Sequence, residues 1–297
     1  MTAEKRNRLS RHAREVEGER PPMRLTERDK DVIKAVNDHR ALFTHQLQQL
    51  FFGSRSTAQY RLALLFQHEY LNRQYPTLFG DAAGSTEALY TLGKRGAQLL
   101  VDTCGYDEGD LRLPKRRGFS WKFIEHLLKI NDVRVSVAVA CQTHGFTLDT
   151  WWDETVFRAH PDYVALKDRR GRTRKKPVFP DGYFVLSTPL GTSRFFLEVD
   201  RGTEALAKFA PQIAVYEAYV ASGQYQARFN AKSLRILIVT SSPKRLAHLK
   251  RVVEKVGGDR KYWFTTFTAL SPKTCLTAPV WERLGSKEAL PLIDVNA

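Results

Sequence analysis

Apolar residues recur three and four positions apart in "LTERDKDVIKAVNDHR", where Val32, Ile33 and Val36 form one stripe, and that spacing predicts an amphipathic helix. Thr26 is placed to cap its first turn, with Asp29 three residues on as the acid of a capping box. The same period runs through "FTHQLQQLFF" and, after a Gly53-Ser54 break, through Leu62, Leu65, Phe66 and Leu71. An extended stretch then leads from "EALYTL" through Gly93 into a further helical segment. Three helices followed by a small extended wing predict a winged helix-turn-helix over residues 23–113, with its third helix suited to the major groove. The residues at the start of that helix, Ser54, Arg55, Ser56, Thr57, Gln59, Tyr60 and Arg61, can reach base edges or phosphates. Arg55, Thr57, Gln59 and Arg61 are the predicted DNA contacts.

From Pro114 the pattern changes. "GFSWKFIEHLLKINDVRVSVAVACQTHG" predicts one long helix whose apolar face carries Phe123, Leu127, Ile130, Val133 and Val137. Strands are predicted at "TLDTWWDE", "PDYVALKD", "VFPDGYFVLS" and "RFFLEVDR". A helix follows over "TEALAKFAPQIAVYEAYVASG", then a strand "LRILIVTSS", a helix "PKRLAHLKRVVEKVGG" and a strand "KYWFTTFTAL". This order predicts an α/β (α+β) domain with a mixed sheet over residues 114–275. Residues 1–22 read as a flexible basic arm ending in Pro21-Pro22, and residues 276–297 as a tail that packs loosely or mediates a contact.

The balance of 47 Lys and Arg against 32 Asp and Glu, a formal charge of +15, favours a polyanionic partner, with double-stranded DNA fitting the helical pattern best. Much of the excess sits in "KDRRGRTRKK", residues 167–176, between two strand signals. Arg169, Arg170, Arg172, Arg174 and Lys175 there suit a DNA clamp at a hairpin tip. Trp151 and Trp152 could stack on unpaired bases or pack in the core. No apolar run is long enough to cross a bilayer and the charged start lacks an apolar signal region, so a cytoplasmic location is expected. Three scattered cysteines, Cys104, Cys141 and Cys275, support neither a disulfide framework nor a cysteine zinc site.

The densest candidate chemistry lies in "FFLEVDRGTE". Glu198 and Asp200, two apart on a strand, leave the same face of the sheet, and their mutual repulsion calls for a cation or donor. Asp181, at the start of the neighbouring strand in "PDGYFVL", could converge with them as oxygen ligands for Mg²⁺ or Mn²⁺.

The order of elements, with "PDG" and then "LEVD", resembles the PD-(D/E)xK nuclease fold, and "QIAVY" resembles the Gln-x-x-x-Tyr element of its RecB-type members. That resemblance implies that Asp181 and Glu198 bind metal, that Glu125 adds a ligand, and that Gln212 and Tyr216 line the DNA path. Over residues 24–270 the chain is similar to the replication-relaxation family of plasmids and mobile elements, in "LTERDKDVI", "YTLGKRGAQLL", "EHLLKINDVR", "PDG" and "LEVDRGTE". It departs from the nuclease pattern where Glu-x-Lys is expected, because Asp200 stands in place of the lysine. Lys208, on the helix that follows, and Arg201 are the available substitutes.

Other chemistries find little support. The eight histidines include no pair separated by one residue, as a rolling-circle relaxase needs, and "TLGKRG" lacks the upstream glycine and hydroxyl of a phosphate-binding loop. Two readings stay open. One is a metal-dependent DNA nickase or endonuclease using Asp181, Glu198, Asp200 and Lys208. The other is a non-catalytic DNA-binding factor, in replication or transcription, that assembles replication or transfer proteins on a degenerate nuclease fold.

Overall fold

The computed structural model describes residues 13–14, 20–76, 87–114, 121–167, 170–203 and 209–294, with the side chains of 121–122 excepted. The chain divides into two compact units, Met1–Asp132 and Val133–Ala297.

The first unit begins with α1 (Glu27–His39), where Thr26 accepts from the Asp29 amide and Asp29 bonds back to the Thr26 amide, the predicted capping box. Then come β1 (Leu42–Phe43), α2 (Thr44–Phe51), α3 (Arg55–Gln67) capped by Ser54, β2 (Leu71–Gln74), β3 (Leu89–Leu92) and α4 (Lys94–Cys104). Leu71, expected at the end of the third helix, instead opens β2. The three strands form an antiparallel sheet in the order β1-β3-β2. Val32, Ile33, Val36, Leu62, Leu65 and Leu71 are fully buried, so the predicted apolar stripes do make the core. Gly96 lets α4 press against the turn after α3, since a Cβ there would lie 2.2 Å from the Tyr70 carbonyl oxygen.

Of the expected arm, residues 13–14 and 20–22 are described, and the rest lies outside the described residues. Arg14 donates to the carbonyls of Phe66 and Leu71, Arg20 pairs with Glu69, and His68 bonds the Pro21 carbonyl, fastening these residues to the end of α3.

The long helix α5 (Trp121–His144) carries Leu127, Ile130, Val133 and Val137 inward as expected. Phe123 is the exception, exposed rather than on the apolar face. The second unit is a mixed α/β fold around a seven-stranded sheet in the order β12-β11-β10-β9-β8-β7-β4. Its five longer strands are β4 (Thr147–Asp153), at one edge, β7 (Gly182–Thr188), β8 (Gly191–Asp200), β9 (Arg235–Thr240) and β10 (Tyr262–Thr266). β8, β9 and β10 are parallel, β7 pairs antiparallel with β8, and β4 pairs antiparallel with β7. Between them lie α6 (Glu154–Ala159), α7 (Phe209–Ala221), α8 (Gln224–Phe229) and α9 (Pro243–Val256), while β5 (Tyr163–Lys167) and β6 (Thr173–Pro177) form a separate two-stranded ribbon. The short α8 was not anticipated.

Of the predicted tail, the described residues up to Asp294 add two strands to the sheet. β11 (Trp281–Arg283) pairs with β10, β12 (Ala289–Leu290) pairs with β11, and Trp281, Leu292 and Ile293 are buried. Two- and three-residue strands have too little periodicity to announce themselves in sequence.

Candidate functional site

Two sets of residues can be built up, one in each unit. In the first, Ser54 caps α3 through the Thr57 amide and so fixes the exit angle of the first helical turn. Ala58 and Leu62 point into the core, which leaves Arg55, Ser56, Thr57, Gln59 and Tyr60 exposed along the opposite face. Tyr60, at 56% exposure, is a large side chain that the fold leaves uncovered.

Arg61 does not belong to that exposed row. Its Nε donates to Asp29 Oδ1 at 2.6 Å, its Nη2 donates to Asp29 Oδ2 and to the Arg24 carbonyl, and Asp29 is fully buried. Burial pushes the Asp29 carboxyl upward, but the guanidinium and the Thr26 donors outweigh it and hold the acid below its ordinary range. Arg61 is therefore the counter-ion of the helix cap, which corrects its assignment as a DNA contact.

In the second unit, the β7–β8 register pairs Gly182 with Leu197, so Asp181, one residue before, comes across from Glu198 as predicted. Asp181 Oδ2 accepts from the Val199 amide at 2.8 Å, and the Asp181 amide bonds Glu198. Glu198 shares its side of β8 with Phe196, which is packed in the core under α7, and is itself only 4% exposed.

Its partners come from α7. Gln212 Nε2 donates to Glu198 Oε2 at 2.7 Å and to Tyr216 Oη at 3.1 Å, and the Tyr216 hydroxyl donates to Glu198 Oε1. The four-residue spacing of Gln212 and Tyr216 thus puts both on one helix face, but that face looks down on the acid. Tyr216 is 1% exposed and Gln212 is half-buried, and both cap Glu198; the buried tyrosine offers no surface to DNA. Burial, reinforced by the charge of Asp181, pushes Glu198 well above the usual carboxylate range.

Asp200, expected to join the acids, is bound elsewhere. Arg245, in the first turn of α9, grips it bidentately, Nε to Oδ2 at 2.8 Å and Nη2 to Oδ1 at 2.9 Å, and Thr240 Oγ1 adds a third donor at 2.6 Å. Against burial, these donors hold Asp200 below its ordinary pKa. Arg245, missed in the sequence, is a cation of the kind that the repulsion between Glu198 and Asp200 called for. The available signal was topological: parallel β8 and β9 bring the start of the helix after β9 beside the end of β8.

These donors bear directly on a divalent ion. Each oxygen of Glu198 accepts a protein hydrogen bond and both oxygens of Asp200 face a guanidinium, so these carboxylates offer a divalent ion fewer lone pairs, and Asp200 less net charge, than free acids would. Glu125 lies on the part of α5 that belongs to the first unit. Among the described residues no group of three His, Cys, Asp or Glu is arranged to hold a metal ion. The residues do not fit the predicted ion in this arrangement. Lys208, the predicted electrostatic substitute, and Arg169 lie outside the described residues.

Of the remaining basic candidates, Arg170, Arg172, Arg174 and Lys175 are exposed on the β5–β6 ribbon and its turn. The tryptophans are engaged: Trp151 stacks on Phe184 beneath Arg134, and Trp152 packs against Tyr183, Phe157 and Phe229. Cys104, Cys141 and Cys275 are free thiols, the last two buried. Among the described residues no helix is long and apolar enough to cross a membrane.

The model of the replication-relaxation family matches residues 33–232. Among solved structures, the chain is similar to the restriction endonuclease FokI with a TM-score of 0.29 and 10% identity, over 84% of this chain and 45% of that one. The chain thus spans under half the length of that enzyme, and a likeness this loose supports no inference about either. No curated protein matches.

Proposed function

Since the chain belongs to the replication-relaxation family, we propose that it binds double-stranded DNA in replication through a winged helix and does not cut it. In this reading α3 is the recognition helix, with Arg55, Thr57 and Gln59 facing the DNA. The second unit keeps the helix, strand and helix order of a PD-(D/E)xK nuclease as a scaffold for replication or transfer proteins.

The observation that carries the reading is the fate of the two acids on β8. Glu198 is sealed under Gln212 and Tyr216, and Asp200, at the position of the expected lysine, is neutralised by Arg245. A nuclease needs there two ionised ligands and a cation aimed at phosphate; here burial disfavours the charge on one acid, and the other has consumed its cation. Losing such an electrostatic group costs on the order of several kcal/mol of transition-state stabilisation.

The test is incubation of the purified protein with supercoiled plasmid in Mg²⁺ or Mn²⁺. The expected result is a retarded band with no conversion to open circle. Nicking by the wild type that disappears in Asp181→Ala would replace this reading with the nickase.

A further inference from the structure

The ribbon formed by β5 and β6 is not part of the seven-stranded sheet, and among the described residues β6 pairs with β5 alone. Its register pairs Ala165 with Lys175 and Val164 with Lys176, and directly opposed residues share a face. One face therefore carries Val164 and Leu166, of which Val164 is 2% exposed in the core and Leu166 packs against it. The other carries Tyr163, Lys167 and Lys175, all exposed, with Tyr163 at 49%. Lys176 and Arg174, opposite Val164 and Leu166, belong to the first face and are exposed as well.

The base of the ribbon is fastened. The Val178 amide donates to the Asp162 carbonyl at 3.0 Å, and the Asp162 carboxylate takes the Tyr219 hydroxyl and Arg228 Nη1. A ribbon anchored at its root and cationic along its free length is preorganised for a partner. Lysines on a free edge also discourage strand pairing, but that need is met by the edge itself and does not call for a second cationic face bearing an exposed tyrosine.

We propose that the β5–β6 ribbon is a second contact with duplex DNA, laid along the major groove with Tyr163, Lys167 and Lys175 toward the nucleic acid. The inference rests on the reading of this chain as a DNA-binding protein. An antiparallel pair of strands matches the width of that groove, and the lysines would meet its flanking phosphates.

The experiment measures duplex affinity against salt for the wild type, for Lys167→Gln with Lys175→Gln, and for a control that removes equal charge at exposed Lys232 and Lys244. The ribbon variant should bind roughly tenfold more weakly at physiological salt, with its logarithmic salt slope reduced by about 0.9 per lost phosphate contact. The control should stay near the wild type. Tyr163→Ala should weaken binding with the slope unchanged, because it carries no charge. Thermal melts establish that each variant is folded. A wild type that binds no duplex sinks the DNA reading as a whole. Wild-type binding with an unaltered ribbon variant, or with a control equally impaired, overturns the ribbon alone, as does equal retention on polyglutamate.

Discussion

Along the outer face of α3, Arg55, Thr57 and Gln59 project into solvent, whereas at the end of β8 both carboxylates are held by neighbours from other elements. Both stretches are dense in polar side chains, and both come from well-formed regular structure. They differ in where those side chains spend their hydrogen bonds. In the second unit Glu198 and Asp200 are completed by Gln212, Tyr216, Thr240 and Arg245, so removing a partner should damage folding. Side chains that leave the fold intact when removed are the ones available to a ligand. Arg61 shows the distinction at close range: six residues from Arg55 on the same helix, it is part of the fold.

That contrast breaks most visibly at Arg245. Arg245→Ala leaves Asp200 buried without its counter-ion and should cost about 3 kcal/mol, read as a lower urea midpoint at neutral pH. Asp200 is held below its ordinary pKa, so the stability it contributes is present above the unfolded-state value and is lost as pH falls through the folded one. The gap between wild type and variant should accordingly close below about pH 4. A gap that persists unchanged into acid would mean that packing, not charge, sets the loss.

Arg61→Ala should destabilise by about 2 kcal/mol, less than the full cost of a broken buried pair because the guanidinium is partly exposed. Arg55→Ala, its neighbour on the helix, should stay within about 0.5 kcal/mol of the wild type while weakening duplex binding. Equal stability losses in the two would erase the distinction between them.

Tyr216→Phe removes one donor from buried Glu198 and should cost about 1–2 kcal/mol in thermal or urea unfolding, with no effect on DNA affinity. Weaker DNA binding in a fully folded Tyr216→Phe protein would restore the tyrosine to the DNA path.

The remaining effect is a matter of pH. Glu198 is raised above its ordinary pKa, so its contribution to stability is full below the unfolded value and declines as pH rises toward the folded one. Glu198→Gln lacks that decline and should gain on the wild type between about pH 5 and pH 7, by no more than about 1.4 kcal/mol per pH unit. A flat difference across this range would show that the acid is ionised in the folded protein.

Much of this was legible in the sequence because it is local. The Thr26–Asp29 box needs only three residues of spacing, and the stripes of α1 and α3 need only a helical period. The approach of Asp181 to Glu198 followed from two adjacent strands with a turn between them. The failures are all non-local. Arg61 finds Asp29 thirty-two positions away, and Arg245 finds Asp200 forty-five positions away. The spacing of Gln212 and Tyr216 identified a shared helix face but not whether that face looks toward DNA or into the core. β11 and β12 escaped notice because strands so short carry no pattern, and only their pairing with β10 makes them strands.

The central claim is that the carboxylates of β8 are committed to the protein and hold no catalytic ion. It is tested most directly by thermal unfolding at neutral pH in chelator and in millimolar Mg²⁺ or Mn²⁺, because an ion bound to the folded state must raise the midpoint. The account predicts identical midpoints for the wild type in all three conditions. A rise of several degrees with metal, abolished by Asp181→Asn or Glu198→Gln, would contradict it.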